Sequence, residues 1–139
     1  MEAKEILGLD VGKKYIGIAR ASDVAALAEP LTTMKSEESP KQLAELIAEN
    51  GVDTIVVGLP RNLQGDETAQ TNWVRKWVDD VKKNIDVNFY WQDEALTSKL
   101  AELHQLKSKY KNPIDEHAMA AAIILQDFLD APEAQRTPC

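Results

Sequence analysis

The hydrophobic pattern at the start of the chain is typical of short extended segments separated by turns. Ile6–Val11 forms an apolar run, Gly12 follows it, and a second apolar run begins at Tyr15, so we predict a strand, a tight turn and another strand. Leu27–Met34 predicts a third extended segment, and Pro30 favours an edge position because proline cannot donate to a sheet ladder. Short links between the three segments favour antiparallel pairing.

Further along the chain, apolar positions alternate between helical and extended spacing. Ser39-Pro40 predicts the start of a helix, and the continuous run Ile55–Val57 predicts a central strand buried on both faces. A helix, a strand and two more helices are then predicted, carried by Trp73–Val81, Val87–Trp91, Leu100–Leu106 and Ile114–Leu129. Strands joined through helices should be parallel, with right-handed crossovers. The sequence therefore predicts an α/β fold with a mixed five-stranded sheet, three antiparallel strands followed by two parallel ones, flanked by helices.

Length and composition favour a single domain. The chain of 139 residues is 44% hydrophobic and 28% charged, which is ordinary for a globular protein. We expect one domain over residues 1–130 and a flexible, polar tail over residues 131–139. We find no stretch near the roughly 20 apolar residues of a membrane span and no secretory leader. The single cysteine, Cys139, has no partner in the chain, so we expect a reducing, cytoplasmic location.

The net charge of −7 bears on the class of partner. Proteins that bind nucleic acid usually carry a basic surface, because contacts to phosphate dominate their affinity. Positive residues cluster in two segments here, one with Lys13, Lys14 and Arg20 and one with Lys99, Lys107, Lys109 and Lys111. The acidic balance makes a nucleic-acid partner less expected without excluding it.

Asp10 is a carboxylate within the apolar run of the first predicted strand. It shares one face of that strand with Ile6 and Gly8, while the other face is apolar. A charge that loses its hydration in such a strand needs compensation. A divalent cation is a strong candidate for a carboxylate at a strand end.

Two further acidic clusters lie at the ends of predicted elements. Asp93 and Glu94 follow the fifth strand, and Asp115 and His117 open the final helix. If the first strand is central and parallel to the fifth, Asp10 and Glu94 should end at the same sheet edge, where ligands collect. Mg²⁺ or Mn²⁺ would relieve the repulsion between these carboxylates and activate water for attack on a phosphodiester. Each group also has a purely structural interpretation, which is strongest for Asp115 as a helix N-cap.

The loop after the central strand carries Arg61 and Asn62. Arginine suits forked contacts to phosphate, so both residues could contact a nucleic-acid backbone. Ordinary loop chemistry explains them equally well.

Several motifs occur in an order typical of one family. They are Leu9–Ala19, Ser22-Asp23, Ala28–Leu31, Val56–Asn62 followed by Gly65, Asp93–Ser98 and Ala120–Leu129. Together they resemble the YqgF (RuvX) family of RNase H-fold proteins, which are described as candidate Holliday junction resolvases and candidate pre-16S ribosomal RNA nucleases. The resemblance covers roughly residues 5 to 130 and implies an RNase H-like fold.

The resemblance also implies a divalent-metal site made by a first-strand aspartate, a later glutamate and an acid at the last helix. By position the first two are Asp10 and Glu94, with Asp93 adjacent. The third position falls on His117, with Asp115 two residues earlier. A neutral imidazole can bind Mn²⁺, whereas Mg²⁺ prefers oxygen. The family's arginine after the glutamate is replaced by Ala95.

We therefore expect a cytoplasmic, metal-dependent endonuclease, monomeric or homodimeric, that acts on structured nucleic acid such as precursor 16S rRNA or a Holliday junction. Its expected catalytic and metal-binding residues are Asp10, Glu94, Asp93, His117 and Asp115, with Mg²⁺ or Mn²⁺ as cofactor. Its expected contacts to the nucleic-acid backbone are Lys13, Lys14, Arg61, Asn62 and Lys99.

Two alternatives stay open at this point. His117 and Ala95 differ from the residues of the family pattern, and the net charge of the chain is negative. Both observations would suit a non-catalytic nucleic-acid or ribosome-associated binding module of the same fold. A nucleotide phosphotransferase of the actin and sugar-kinase type also has an Asp-x-Gly sequence after a strand, but it needs two such domains around the nucleotide.

Overall fold

The computed structural model describes residues 4–62, 64–95, 103–105, 108 and 115–139. The described strands are β1 (Glu5–Val11), β2 (Tyr15–Ser22), β3 (Glu29–Lys35), β4 (Val52–Arg61), β5 (Asn88–Ala95) and β6 (Thr137–Pro138). The helices with described bounds are α1 (Ser39–Asn50), α2 (Ala69–Lys82) and α3 (Glu116–Asp130), with 3₁₀ turns at Ser36–Glu38 and Glu133–Gln135. Leu100 and Leu106, which marked a further predicted helix, lie outside the described residues, as does Lys99.

The strands form one mixed sheet in the order β3-β2-β1-β4-β5-β6. The pairs β1–β2 and β2–β3 are antiparallel, whereas β1–β4 and β4–β5 are parallel. This confirms the predicted topology, including the edge position of β3 with its Pro30. Because β1, β4 and β5 run in the same direction, their carboxyl ends lie at one edge of the sheet.

The sheet differs from the prediction at the end of the chain. We predicted five strands and a flexible tail, whereas Thr137 and Pro138 form a sixth strand antiparallel to β5. The Cys139 amide also donates to the Phe89 carbonyl at 2.9 Å. The physical reason is that β5 would otherwise be an edge strand with unpaired backbone groups, which short segments commonly cover. Two paired residues are too few to show a hydrophobic period in the sequence.

The core lies on both faces of the sheet. On one face α1 and α2 cover Leu7, Leu9 and their neighbours, and Trp73 and Trp77 pack against this cluster, as the helical spacing predicted. On the other face α3 covers Ile6, Ala19 and Val56. No helix among the described residues is long and apolar enough to cross a membrane.

Three glycines allow α3 to lie close to the sheet. A Cβ atom on Gly8 would lie 2.6 Å from the Leu125 Cβ, and one on Gly58 would overlap the Ile124 side chain. A Cβ on Gly17 would overlap the backbone carbonyl of His117 at the start of α3. The close approach therefore depends on residues without side chains, and it brings α3 against the end of β1 that carries Asp10.

Candidate active site

Asp10 and Glu94 lie on the same face of the sheet. Asp10 follows Ile6 and Gly8 on the face of β1 that α3 covers, and Asp10 itself is half-buried. Alternation along β5 places Glu94 on the same face as Tyr90, which also packs against the α3 cluster. Glu94 is only 5% exposed. Two carboxylates, one of them nearly inaccessible to solvent, are thus directed to the same region by two parallel strands.

A pocket of about 250 Å³ joins these two residues. Gly58 and Pro60 of the intervening strand β4 form its floor, together with Ile124 of α3. The Ile124 side chain occupies the space that a side chain at position 58 would take, so Gly58 allows α3 to form this wall of the pocket. The prediction that the two acids end at the same sheet edge is confirmed by the parallel pairing and by this shared pocket.

Asp93 lies on the opposite face, because side chains alternate along a strand. Its Oδ1 atom is 3.2 Å from the Arg61 Nε atom in an ion pair, and 62% of its side chain is exposed. The structure therefore separates Asp93 from Asp10 and Glu94, although Asp93 and Glu94 are adjacent in sequence.

Asp115 caps helix α3. Its carboxylate accepts a hydrogen bond from the His117 amide at 2.9 Å, which is the structural role that its position after a predicted helix break indicated. Partial burial raises the pKa of this carboxyl, but the nearby Thr33 hydroxyl and the His117 amide outweigh it and hold the pKa below its ordinary value.

We expect Asp115→Ala to destabilise the protein by about 1 kcal/mol at pH 7, because it removes the N-cap. The low pKa of folded Asp115 means that this contribution is present above the unfolded pKa of about 4 and is lost as the pH falls through the folded value. Urea denaturation at neutral and acidic pH measures the difference. Asp115→Asn, which still accepts the capping bond, is the control. Equal destabilisation by both variants would contradict the capping role.

His117 is exposed at the start of α3. Its ring packs against that of Tyr15, with 5.4 Å between the ring centroids. Its backbone lies over Gly17, which is the direct cross-strand partner of Asp10. His117 thus lies at the Asp10 end of the sheet but does not line the pocket shared by Asp10 and Glu94. Within the described ranges, no three Asp, Glu, His or Cys side chains are grouped closely enough to hold a metal ion.

Arg61 and Asn62 both line the pocket. The Asn62 Oδ1 atom accepts hydrogen bonds from the Gln64 and Asp66 amides at 3.0 and 2.9 Å, so this residue also shapes the loop. Lys13 and Lys14 are exposed in the turn after β1, where the Gly12 amide donates to the Tyr15 carbonyl. Both lysines are therefore close in sequence to Asp10 and accessible from solvent.

Sequence reasoning missed two residues that line the pocket, Thr68 and Gln70. They lie where α2 begins, and the Gln70 Nε2 atom donates to the Val11 carbonyl at 3.2 Å. Close by, the Thr71 hydroxyl donates to the Pro60 carbonyl at 2.6 Å and fixes the helix start to the end of β4. A helix that follows a strand through a short loop begins at the carboxyl edge of the sheet, and this rule could have identified both residues.

The donor set suits a hard divalent cation. Carboxylate oxygens of Asp10 and Glu94 are the ligands that Mg²⁺ and Mn²⁺ prefer, and the Gln70 amide adds a neutral oxygen to the same pocket. The residues present therefore fit a divalent metal held mainly by two carboxylates.

Comparison with protein families gives one match over most of the chain. Residues 4–131 match the model of the RuvX family, described as Holliday junction resolvase. A protein of Chloroflexus aggregans named as a candidate pre-16S rRNA nuclease is 40% identical, in an alignment that covers 94% of this chain and 96% of that protein. A protein of the same name from Shewanella oneidensis is 34% identical and covers 94% of this chain and 96% of its own length.

The fold is also similar to solved structures. Thermus thermophilus RuvC in complex with a Holliday junction substrate superposes with a TM-score of 0.62 at 13% sequence identity, covering 98% of this chain and 99% of that one. A structure of the same RuvC described without a substrate gives a TM-score of 0.62 at 15% identity, with 97% and 99% covered. At these identities the likeness concerns the fold.

Proposed function

This chain belongs to the RuvX family, and from that membership we propose that it is a nuclease that hydrolyses phosphodiester bonds in structured nucleic acid. The observation that carries the proposal is the pocket in which Asp10 and Glu94 meet at the carboxyl edge of β1 and β5. The names of the relatives support precursor 16S rRNA as substrate, and the family description supports branched DNA. Backbone phosphate is the chemical group that both substrates would present to the pocket.

The proposed enzyme depends on Mg²⁺ or Mn²⁺, with Asp10 and Glu94 as its principal ligands. When bound, the cation supplies positive charge that lowers the pKa of water and stabilises the charge developing on phosphate. Glu94 is nearly buried and so has little freedom to move, whereas Asp10 is half-buried and stays within reach of a substrate. This combination gives one fixed and one accessible oxygen donor.

The third ligand in this proposal is His117 rather than Asp115 or Asp93. The Asp115 carboxylate is engaged in capping α3, and Asp93 lies across the sheet beside Arg61. His117 lies at the Asp10 end of the sheet with an exposed ring, and a change in its side-chain angles would be needed to direct the imidazole to the cation. A third ligand of this type favours Mn²⁺ over Mg²⁺, because imidazole is a softer donor than carboxylate.

The residues around the pocket would hold the substrate strand. Arg61 lines the pocket with a side chain that is 29% exposed, and it would contact phosphate by exchanging its partner Asp93; Asn62 lies beside it. Lys13 and Lys14 extend from the turn that follows Asp10. In a chain with net charge −7, these few cations beside the carboxylates would decide where a polyanion can approach.

Metal removal tests the proposal. We expect cleavage of a precursor 16S rRNA fragment or a four-way DNA junction to be lost when EDTA chelates the metal, and to return when Mn²⁺ is added in excess, because the two carboxylates need a cation to act on phosphate. Gel electrophoresis of labelled substrates measures the product. Cleavage that continues unchanged in EDTA would exclude metal dependence. Binding of both substrates without cleavage in Mn²⁺ would instead favour a binding module of the same fold.

A further inference from the structure

A second pocket lies at the same sheet edge on the side of α2. Its volume is about 470 Å³, and its lining includes Arg61, Arg75, Trp91, Gln92 and Asp93. Arg61 lines both this pocket and the one that contains Asp10 and Glu94. The two pockets therefore adjoin at Arg61, where one nucleic-acid strand could contact both.

Arg75 and Trp91 form a cation–π contact in this second pocket. The Arg75 guanidinium carbon lies 5.3 Å from the centre of the Trp91 ring. The Arg75 Nε atom also donates a hydrogen bond to the Glu67 carboxylate at 2.8 Å, and this bond fixes the guanidinium. Trp91 is partly buried against the core, so its ring is fixed too. Planar guanidinium and aromatic groups are the surfaces on which unpaired bases stack.

The charges in this pocket favour a base over a phosphate. Arg61 is paired with Asp93 at 3.2 Å and Arg75 with Glu67 at 2.8 Å, so each cation already has an anion beside it. A phosphate would gain little from such a balanced set and would be repelled by the exposed Asp93 carboxylate. A neutral base would meet no such repulsion, and the Gln92 amide and Asp93 carboxylate offer it both donors and acceptors.

We propose that the pocket formed by Arg75, Trp91, Gln92 and Asp93 binds one unpaired base of the substrate strand, next to the phosphate that is cut. The proposal rests on the proposed nuclease function and adds a substrate class to it. The base stacks on the Arg75 guanidinium, which Trp91 supports. A fully paired duplex has no unpaired base to place there. The enzyme therefore prefers a strand with a single-stranded segment beside the cleavage site.

The test compares binding to single-stranded and paired RNA. The full chain carries Asp10→Asn throughout so that cleavage does not interfere, and fluorescence anisotropy measures the Kd of a labelled short single strand and of the same strand in a duplex. We expect Arg75→Met and Trp91→Leu each to weaken single-strand binding by about tenfold, as loss of one stacked base does, and to leave duplex binding nearly unchanged. Thermal melts establish that both variants are folded.

Lys76→Met is the matched control, because it removes one positive charge from the next position of the same helix, where the side chain is exposed. It should change both Kd values by the same small factor. Unchanged single-strand binding by Arg75→Met overturns the proposal, and so does an equal loss for the single strand and the duplex. Gel electrophoresis of the labelled strands after each measurement shows whether they are intact, so failure of base binding is distinguishable from failure of the assignment of Asp10.

Discussion

Asp10→Asn is expected to reduce metal-dependent cleavage by at least about 100-fold, because the substitution removes the accessible carboxylate of the proposed metal site and several kcal/mol of charge stabilisation with it. The shape of the side chain is preserved, so the pocket between β1 and α3 should keep its form. Glu94→Gln should have a comparable effect, since it removes the second carboxylate of the same pocket. Initial rates on labelled substrate in Mn²⁺ measure both losses.

Asp53→Asn is the matched control for the charge. Asp53 lies at the start of β4, at the opposite end of the same sheet, where its carboxylate is 3.7 Å from the Lys4 amine. This control should retain cleavage close to that of the unmodified chain. Mn²⁺ titration by calorimetry measures metal binding separately from cleavage. Asp10→Asn should weaken metal binding, and Asp53→Asn should not. If Asp10→Asn cleaves as fast as the unmodified protein, the assignment of the active site is wrong.

Gly17→Ala is expected to cost about 3 kcal/mol or more of unfolding free energy, at the upper end of what overpacking in a core costs. The new Cβ would overlap the backbone carbonyl of His117, and a backbone cannot rotate away as a side chain can. Helix α3 would have to move off β2, which would also disturb the pocket because Ile124 of that helix lines it. We therefore expect loss of both stability and cleavage.

Gly51→Ala is the matched control for this prediction. Gly51 has φ of +62° at the end of α1, and no atom lies within 4 Å of a Cβ placed there. Its substitution should cost only the backbone strain of a left-handed alanine, about 1 kcal/mol. Urea denaturation compares the two variants. Equal losses would show that contact with α3 is not what requires glycine at position 17.

Asp10 and Gly17 are cross-strand partners, one carrying the proposed metal-binding carboxylate and the other providing space for helix α3. Helix α3 packs closely against Gly8, Gly17 and Gly58, and this packing fixes the position of Ile124 in the pocket wall. The activity of Asp10 would thus depend on residues whose only contribution is the absence of a side chain.

Much of the fold could be predicted from the sequence because local patterns determine it. The alternation around Asp10, the proline in β3 and the apolar run in β4 each reflect how a residue fits a strand, and the order of helices and strands determines which strands can be parallel. The short strand β6 could not be predicted, since two residues carry no period and their pairing depends on the exposed edge of β5.

The candidate site also has features that the sequence predicts and features that depend on the tertiary structure. The sequence by itself determined that a carboxylate interrupts an apolar strand at Asp10, and it placed Glu94 at the end of another predicted strand. It left open whether these two strands run in the same direction. Only the tertiary structure decided which neighbours join them, because alternation and helix geometry direct side chains in space. It placed Asp93 on the far face beside Arg61, engaged Asp115 in capping α3, and brought Gln70 to the pocket from a distant part of the chain.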